Sequence, residues 1–200
     1  MIMSTSKPLP TLTSKRLYLR QWQDSDLAPF ARINANPEVM HYFPSVLSSE
    51  VSDRIAKKCQ TLIAQNGWGL WAVCLKDSGR FIGFVGLNQT DAAMPFAPAV
   101  EMAWRLDNAY WGQGYATEAA KLALRFAFED LALNEVVAFT ATINTPSQRV
   151  MQRLGMQNST QNFYHPALPK THMLAEHVLY TMTRQRWQQQ VSIDGSGIIA

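Results

Sequence analysis

The 200-residue chain carries 18 Lys and Arg against 15 Asp and Glu, a formal charge of +3, with 47% hydrophobic and 16% charged residues. That balance suits one globular domain with a sizeable core and excludes a disordered or polybasic chain; the scattered bases argue against a nucleic-acid partner. No apolar run approaches the roughly 20 residues that span a bilayer, and the opening MIMSTSKPLP lacks the apolar segment of a secretory signal, so a cytoplasmic chain with no membrane partner is expected.

Residues 16–20, RLYLR, alternate and predict a strand. In the DSDLAPF run that follows, Asp and Ser are N-cap types and Pro29 is tolerated only near a helix start. The helix it opens fades before Asn36-Pro37. A second helix is predicted from Ser49 to Gln65, stopped by Asn66-Gly67. WGLWAVCL (68–75) and FIGFVGL (81–87), separated by the turn signal KDSGR, predict a β-hairpin. VEMAWRL (100–106) is a third strand of this antiparallel group, beyond the proline-bearing loop DAAMPFAPA. From Gly114 to about Leu131 the pattern is helical, with Ala116, Ala120, Leu124, Ala127, Phe128 and Leu131 on one face. EVVAFTAT (135–142) is a nearly continuous apolar strand, as in a sheet covered on both faces. TPSQRVMQRLG (145–155) is a short helix ended by Gly155. Two more strands are predicted near 157–163 and 177–184, and the stretch from residue 188, QQQVSIDGSGIIA, is expected to be a flexible tail.

The result is one domain over residues 1–187, of mixed α/β class. An antiparallel meander is followed by strand, glycine turn, helix and strand, which makes a parallel pair with a right-handed crossover and helices on both faces. Cys59 and Cys74 each fall in an apolar stretch and read as buried thiols. They are too few for a disulfide scaffold or a zinc site, and no metal site is expected.

The turn WGQGYAT lies between a strand and a helix. A helix N-terminus offers unpartnered N–H groups and a partial positive charge, and Gly112 and Gly114 let an anion approach. The turn is a phosphate cradle or a plain connection. A dinucleotide fingerprint fails, because its third glycine position is Thr117, and the nucleotide P-loop pattern is absent. An oxidoreductase or an NTPase is disfavoured.

The segment from VEMAWRLDNAYWGQGYATEAAKLALRF through ATINTPSQRVMQRLGM resembles the core of the GCN5-related N-acetyltransferases (GNAT). The closest subgroup holds the ribosomal-protein N-terminal acetyltransferases. TSKRLYLRQWQDSD, NPEVMHYF and FIGFVGL extend the resemblance over about residues 11–160. It implies a GNAT-type central sheet and acetyl-coenzyme A as co-substrate. Gly112, Gln113, Gly114, Tyr115, Ala116 and Thr117 would hold its pyrophosphate, and Met102, Trp104 and Leu106 would border it along the strand. The family's usual Gln or Arg at the start of the turn is Trp111 here, which leaves the backbone donors intact. Asn144 would meet the pantetheine arm, or cap the following helix. Arg149, one turn before Arg153, would reach a phosphate, or face solvent. A homodimer is common in the family.

Acetyl transfer requires an amine without its extra proton. A lysine amine has a pKa of about 10.4 and an α-amine about 7.7 to 8.0, so an α-amine asks less of a base. Glu101, interrupting an apolar strand, is the base candidate: a partly desolvated carboxylate has a raised pKa. The alternatives are a glutamate on a solvated strand face, or one paired with Arg105, four residues on along the same face. The tyrosine acid of many family members is replaced by Met151, and the subgroup points to Ser147 instead. Trp68, Phe96 and His165 are candidates for the acceptor side, with Trp71, Met94 and residues 41–44 core or groove. His165 is also an alternative base. The function implied is transfer of acetyl from acetyl-CoA to a primary amine, on a protein N-terminus or a small molecule, by direct attack in a ternary complex. A catalytically silent acyl-CoA-binding module is the alternative left open by Met151.

Overall fold

The computed structural model describes residues 9–193. Its first strands follow the alternation in the sequence. β1 (Leu12–Thr13) pairs antiparallel with β2 (Leu17–Arg20), whose Leu17 and Leu19 are fully buried while Tyr18 and Arg20 are half-exposed. Asp26 receives Arg20 at 2.6 Å and the Gln23 N–H at 2.8 Å, which fixes the entry into α1 (Leu27–Ala35). The α2 helix (Ser49–Asn66) begins where the Ser48 hydroxyl accepts from the Val51 N–H, and ends at Gly67 in the left-handed conformation. The two stop signals at Asn36-Pro37 and Asn66-Gly67 therefore act as expected.

β3 (Leu70–Leu75), β4 (Phe81–Gln89) and β5 (Val100–Leu106) form the antiparallel meander. Seven successive β4 residues, Phe81 to Leu87, are buried, because both faces of this strand are covered. Gly86 is there for space: a Cβ on it would collide with the Gly69 carbonyl of the neighbouring strand entry. α3 (Tyr115–Arg125) crosses to β6 (Glu135–Ala141), which runs parallel to β5. Then come α4 (Thr145–Arg153), β7 (Gln157–Asn158), β8 (Phe163–Tyr164), β9 (Glu176–Thr183) and α5 (Arg184–Ile193). The sheet order is β1-β2-β3-β4-β5-β6-β9-β7, with β8 also pairing β9, and every pair except β5-β6 is antiparallel. This is the mixed α/β architecture that the sequence predicts.

Side-chain parity sorts the layers. Phe84 of β4 meets Phe30 of α1, with ring centroids 5.8 Å apart, so its face carries α1 and α2. Trp71, the register partner of Val85, meets Phe126 at the end of α3, so the other face carries α3. Met102 and Leu106 are buried on that second face.

The differences from the sequence reading are local. The predicted strand 157–163 is two two-residue strands, broken by a turn in which Thr160 has φ +61°. The long helix after Gly114 is α-helical only to Arg125 and finishes as a π-helical turn over Phe126–Asp130. The tail expected from residue 188 is helical as far as Ile193. Trp187 explains this: it is 5% exposed and stacks on Phe128 at 5.8 Å, so tertiary packing anchors a polar sequence. The rest of that stretch, 194–200, and residues 1–8, which carry most of the leader reading, lie outside the described residues. No helix among the described residues is long and apolar enough to cross a membrane.

Candidate active site

β5 and β6 are seven residues each, yet they share one register pair, Glu101 with Val137. Beyond it the strands part toward their carboxyl ends. In α/β sheets that end of a parallel pair is where ligands sit. Every second N–H and C=O of a strand points to each side. On the β6 side the Met102 N–H closes the Glu101–Val137 bridge, so the Met102 carbonyl, both main-chain groups of Trp104 and the Leu106 N–H are what the stretch from Met102 to Leu106 offers the opening. Met102 and Leu106 turn their side chains into the core, and Trp104 is half-buried, so what these positions present to the opening is main chain.

The chain leaves β5 through Asp107, whose carboxylate accepts from the Ala109 N–H at 3.0 Å. Exposed Trp111 is fixed by its indole N–H, which donates to the Leu106 carbonyl at 2.9 Å. Gly112 and Gly114 both adopt φ near +80°, at +73° and +82°. A Cβ on Gly112 would meet nothing within 4 Å, so conformation and not space demands glycine there. Gly114 is the N-cap of α3 and has no side-chain cap. Among the described residues, nothing accepts from the N–H groups of Gly112, Gln113, Gly114, Tyr115, Ala116 and Thr117. Six consecutive donors at a helix start, beside a parted strand pair, fit the oxygens of a pyrophosphate.

A device that sequence reasoning missed holds this turn. Arg16 donates from Nη1 to the Gln113 carbonyl at 3.1 Å and from Nε to Glu118 Oε2 at 2.7 Å, and its guanidinium carbon lies 4.4 Å from the Tyr115 ring centroid. Glu118 Oε1 also accepts from the Ser14 hydroxyl at 2.7 Å and the Arg16 N–H at 3.1 Å. Burial pushes the Glu118 carboxyl up, but these donors outweigh it and hold it below its ordinary pKa. The two partners stand 102 residues apart, and no spacing rule joins them.

On the β6 side, Asn144 is the N-cap of α4. Its Oδ1 accepts from the Ser147 N–H at 3.2 Å, while Nδ2 donates to Thr140 Oγ1 at 2.8 Å and Ser147 Oγ at 3.2 Å. The capping alternative thus describes the side chain, and both amide hydrogens are engaged within the chain. Ser147 is half-buried at the helix start. Arg149 and Arg153 are exposed and make no ion pair among the described residues. Met151 is 1% exposed and belongs to the core.

The register of β4 and β5 sets Phe84 beside Arg105, Gly86 beside Ala103 and Asn88 beside Glu101. All six therefore share the α1–α2 face. Glu101 Oε1 accepts from Asn88 Nδ2 at 2.9 Å. Burial pushes the Glu101 carboxyl above its ordinary pKa, and the Asn88 bond offsets part of that. Glu101 is not paired with Arg105, which donates instead to Asn34 of α1 at 2.6 Å. Val137, in register with Glu101, brings Phe139 to the same face. Around Phe139 stand Phe96 at 5.5 Å, Phe163 at 5.8 Å and His165 at 6.2 Å between ring centroids. Phe96 and His165 are thus brought together on the Glu101 face. Trp68 packs half-buried against the core at the entry to β3 and is not in this cluster. Trp71 and Met94 are buried. Burial lowers the pKa of both His165 and His177, so both rings are neutral near pH 7. Cys59 and Cys74 are buried free thiols, with Cys59 pushed up to about 11 by burial.

A model of the acetyltransferase (GNAT) domain matches residues 16–157. An FsC-acetyl coenzyme A-N(2)-transacetylase of Aspergillus fumigatus is 29% identical over 192 residues, 92% of this chain and 80% of that one. Among solved structures, a GNAT-family acetyltransferase of Bacillus anthracis superposes with a TM-score of 0.74 at 22% identity, covering 88% of this chain and 99% of the other. Mycobacterium smegmatis RimJ, solved with CoA-disulfide, superposes with a TM-score of 0.72 at 18% identity, covering 94% and 95%.

Proposed function

The chain belongs to the GNAT acetyltransferase family and is an N-acetyltransferase; from that premise we propose that it moves acetyl from acetyl-CoA directly to a primary amine, on a peptide N-terminus or a small molecule, within a ternary complex. The observation that carries the reading is the run of six unpartnered N–H groups from Gly112 to Thr117 at the mouth of the parted β5–β6 pair. These donors would cradle the pyrophosphate. The open main chain of Met102 to Leu106 would line the pantetheine arm and offer an N–H to the thioester oxygen. Arg149 would add charge near the phosphates. Acetyl-CoA supplies an acetyl group activated as a thioester.

Glu101 takes the proton of the attacking amine, directly or through a water. Its half-buried carboxyl, with Oε1 held by Asn88, has a pKa raised above the ordinary value, the direction that makes a carboxylate a better base. Ser147 Oγ, oriented by Asn144 Nδ2, donates toward the departing sulfur. The Phe96 and His165 cluster forms an apolar wall on the Glu101 face, and Trp68 flanks the acceptor side. Beside Glu101 no described residue pairs a nucleophile with a base, which favours direct attack over a covalent acetyl-enzyme.

The test is Gly114→Pro. Proline cannot take the +82° φ of this N-cap, so acetyl-CoA affinity measured by calorimetry is expected to fall by at least about 100-fold, the worth of two or three lost charge-assisted hydrogen bonds. Circular dichroism should show the helix content retained. Unchanged affinity in a folded variant would refute the cradle.

A further inference from the structure

Among the described residues, Arg105 is a cation held in the fold without a counter-ion. It projects from β5 onto the Glu101 face and ends among four elements: Asn34 of α1, Cys59 of α2, Phe84 of β4 and Phe43 from the segment between the two helices. Its guanidinium carbon lies 4.2 Å from the Phe43 ring centroid and 5.6 Å from that of Phe84. Ring faces attract the charge but do not satisfy in-plane N–H groups. Burial lowers its pKa to about 10, so it stays charged at neutral pH, whereas burial keeps the Cys59 thiol protonated. No carboxylate among the described residues pairs with it.

The hydrogen-bond account of the guanidinium is one-sided. Nη1 donates to Asn34 Oδ1 at 2.6 Å, and Asn34 is itself held by a bond to Ser52 Oγ at 2.8 Å. Nε is fully buried and has no acceptor, and Nη2 makes no hydrogen bond among the described residues. Nε–H and Nη2–H are the two parallel donors of the fork that a carboxylate meets side-on. A buried donor without a partner is costly, and a native structure that keeps one calls for a ligand or a reason.

We propose that the Nε/Nη2 edge of Arg105 receives a carboxylate of the acceptor, so that this enzyme acetylates amines that also carry a carboxylate. The inference rests on the transferase reading above and adds the acceptor class to it. The amine would lie by Glu101 and the carboxylate further along the same face, at Arg105. A cation placed there also disfavours polyamines and other polycationic acceptors.

Thiol release from acetyl-CoA is to be followed with amino acids, dipeptides and tripeptides, each beside its C-terminal amide, for the wild type, Arg105→Lys and Arg105→Met. The wild type is expected to prefer the acid of the best pair by about 30-fold or more in kcat/KM, chiefly through KM, because breaking a buried charge pair at one partner has at least that effect. Arg105→Lys keeps a charge that can still bind Asn34 but loses the fork, and Arg105→Met loses both; each should bring the acid-to-amide ratio close to one. Equal turnover of acid and amide by the wild type overturns the proposal and leaves the transferase reading standing. If no amine is acetylated, that reading falls. Calorimetry on acetyl-CoA-saturated protein then decides the fork: acid-selective binding lost in Arg105→Lys upholds it, and its absence in the wild type overturns it. Weakened binding of acetyl-CoA itself in both variants would place a coenzyme phosphate at Arg105 and also overturn the proposal.

Discussion

At the scale of single residues, Glu101 owes its chemistry to its neighbours. Its carboxyl is half-buried in a strand and, among the described residues, holds one hydrogen bond, from Asn88. Desolvation disfavours the charged form and raises the pKa, and the Asn88 bond restrains the rise. A base with a raised pKa gains rate as pH climbs through that value, because only the carboxylate accepts a proton. The acceptor amine adds a second rise near about 8 if it is an α-amine. Wild-type kcat/KM should therefore climb in two steps, the first above the ordinary carboxylate range. Glu101→Gln should erase the first step and lower the plateau by roughly 100-fold, the usual worth of a general base. A profile that keeps both steps would remove Glu101 from the reaction and turn attention to His165, which is neutral near pH 7 and shares its face.

At the scale of elements, the glycine turn is held from outside itself. Glu118, one turn into α3, ties the helix to Ser14 and Arg16, and Arg16 in turn takes the Gln113 carbonyl. The pKa of Glu118 is depressed in the fold. A carboxylate with a depressed folded pKa contributes stability above its unfolded pKa, and that stability disappears as pH falls through the folded value. The melting temperature of the wild type should exceed that of Glu118→Gln at neutral pH by a few degrees, about 1 kcal/mol for a half-exposed ion pair with added hydrogen bonds. The gap should close in acid, below the ordinary carboxylate range. A gap that persists there would mean that Glu118 acts by shape alone. The turn itself was legible, because Gly112 and Gly114 announce positive φ and a helix start by type and spacing. So were the caps at Gly67 and Asn144, whereas the Ser48 cap one residue before the predicted helix start was not. Their signals span a few residues. The contacts that position them span dozens: Arg16 with Glu118, and Arg105 with Asn34, 71 residues apart. Those depend on the sheet order, which no local pattern encodes. Arg105 shows the limit well, since its residue type and strand parity suggested Glu101 as a partner, while the packing of α1 over that face supplied Asn34 instead.

At the scale of the molecule, the sheet has a seam. β1 to β5 form one run and β6, β9, β7 and β8 another, and the two share the single register pair Glu101 with Val137. The crossover α3 and its packing against α4 also join them. The unpartnered donors lie along this seam, so acetyl-CoA bound there would touch both runs: the Gly112–Thr117 amides on one side and the start of α4 on the other. Binding should therefore stabilise the whole fold. At a ligand concentration about 100 times Kd the gain is about 2.7 kcal/mol, which for a chain of this size raises the melting temperature by roughly 5–10 °C. Hydrogen exchange should localise the effect. Protection is expected in the Gly112–Thr117 turn and in the facing edges of both β5 and β6, since a ligand bridging the seam suppresses the opening that separates them. Protection limited to the turn, with the strand edges exchanging as before, would mean that the ligand is held from one side only. The seam would then be a structural gap with no part in binding the pantetheine arm.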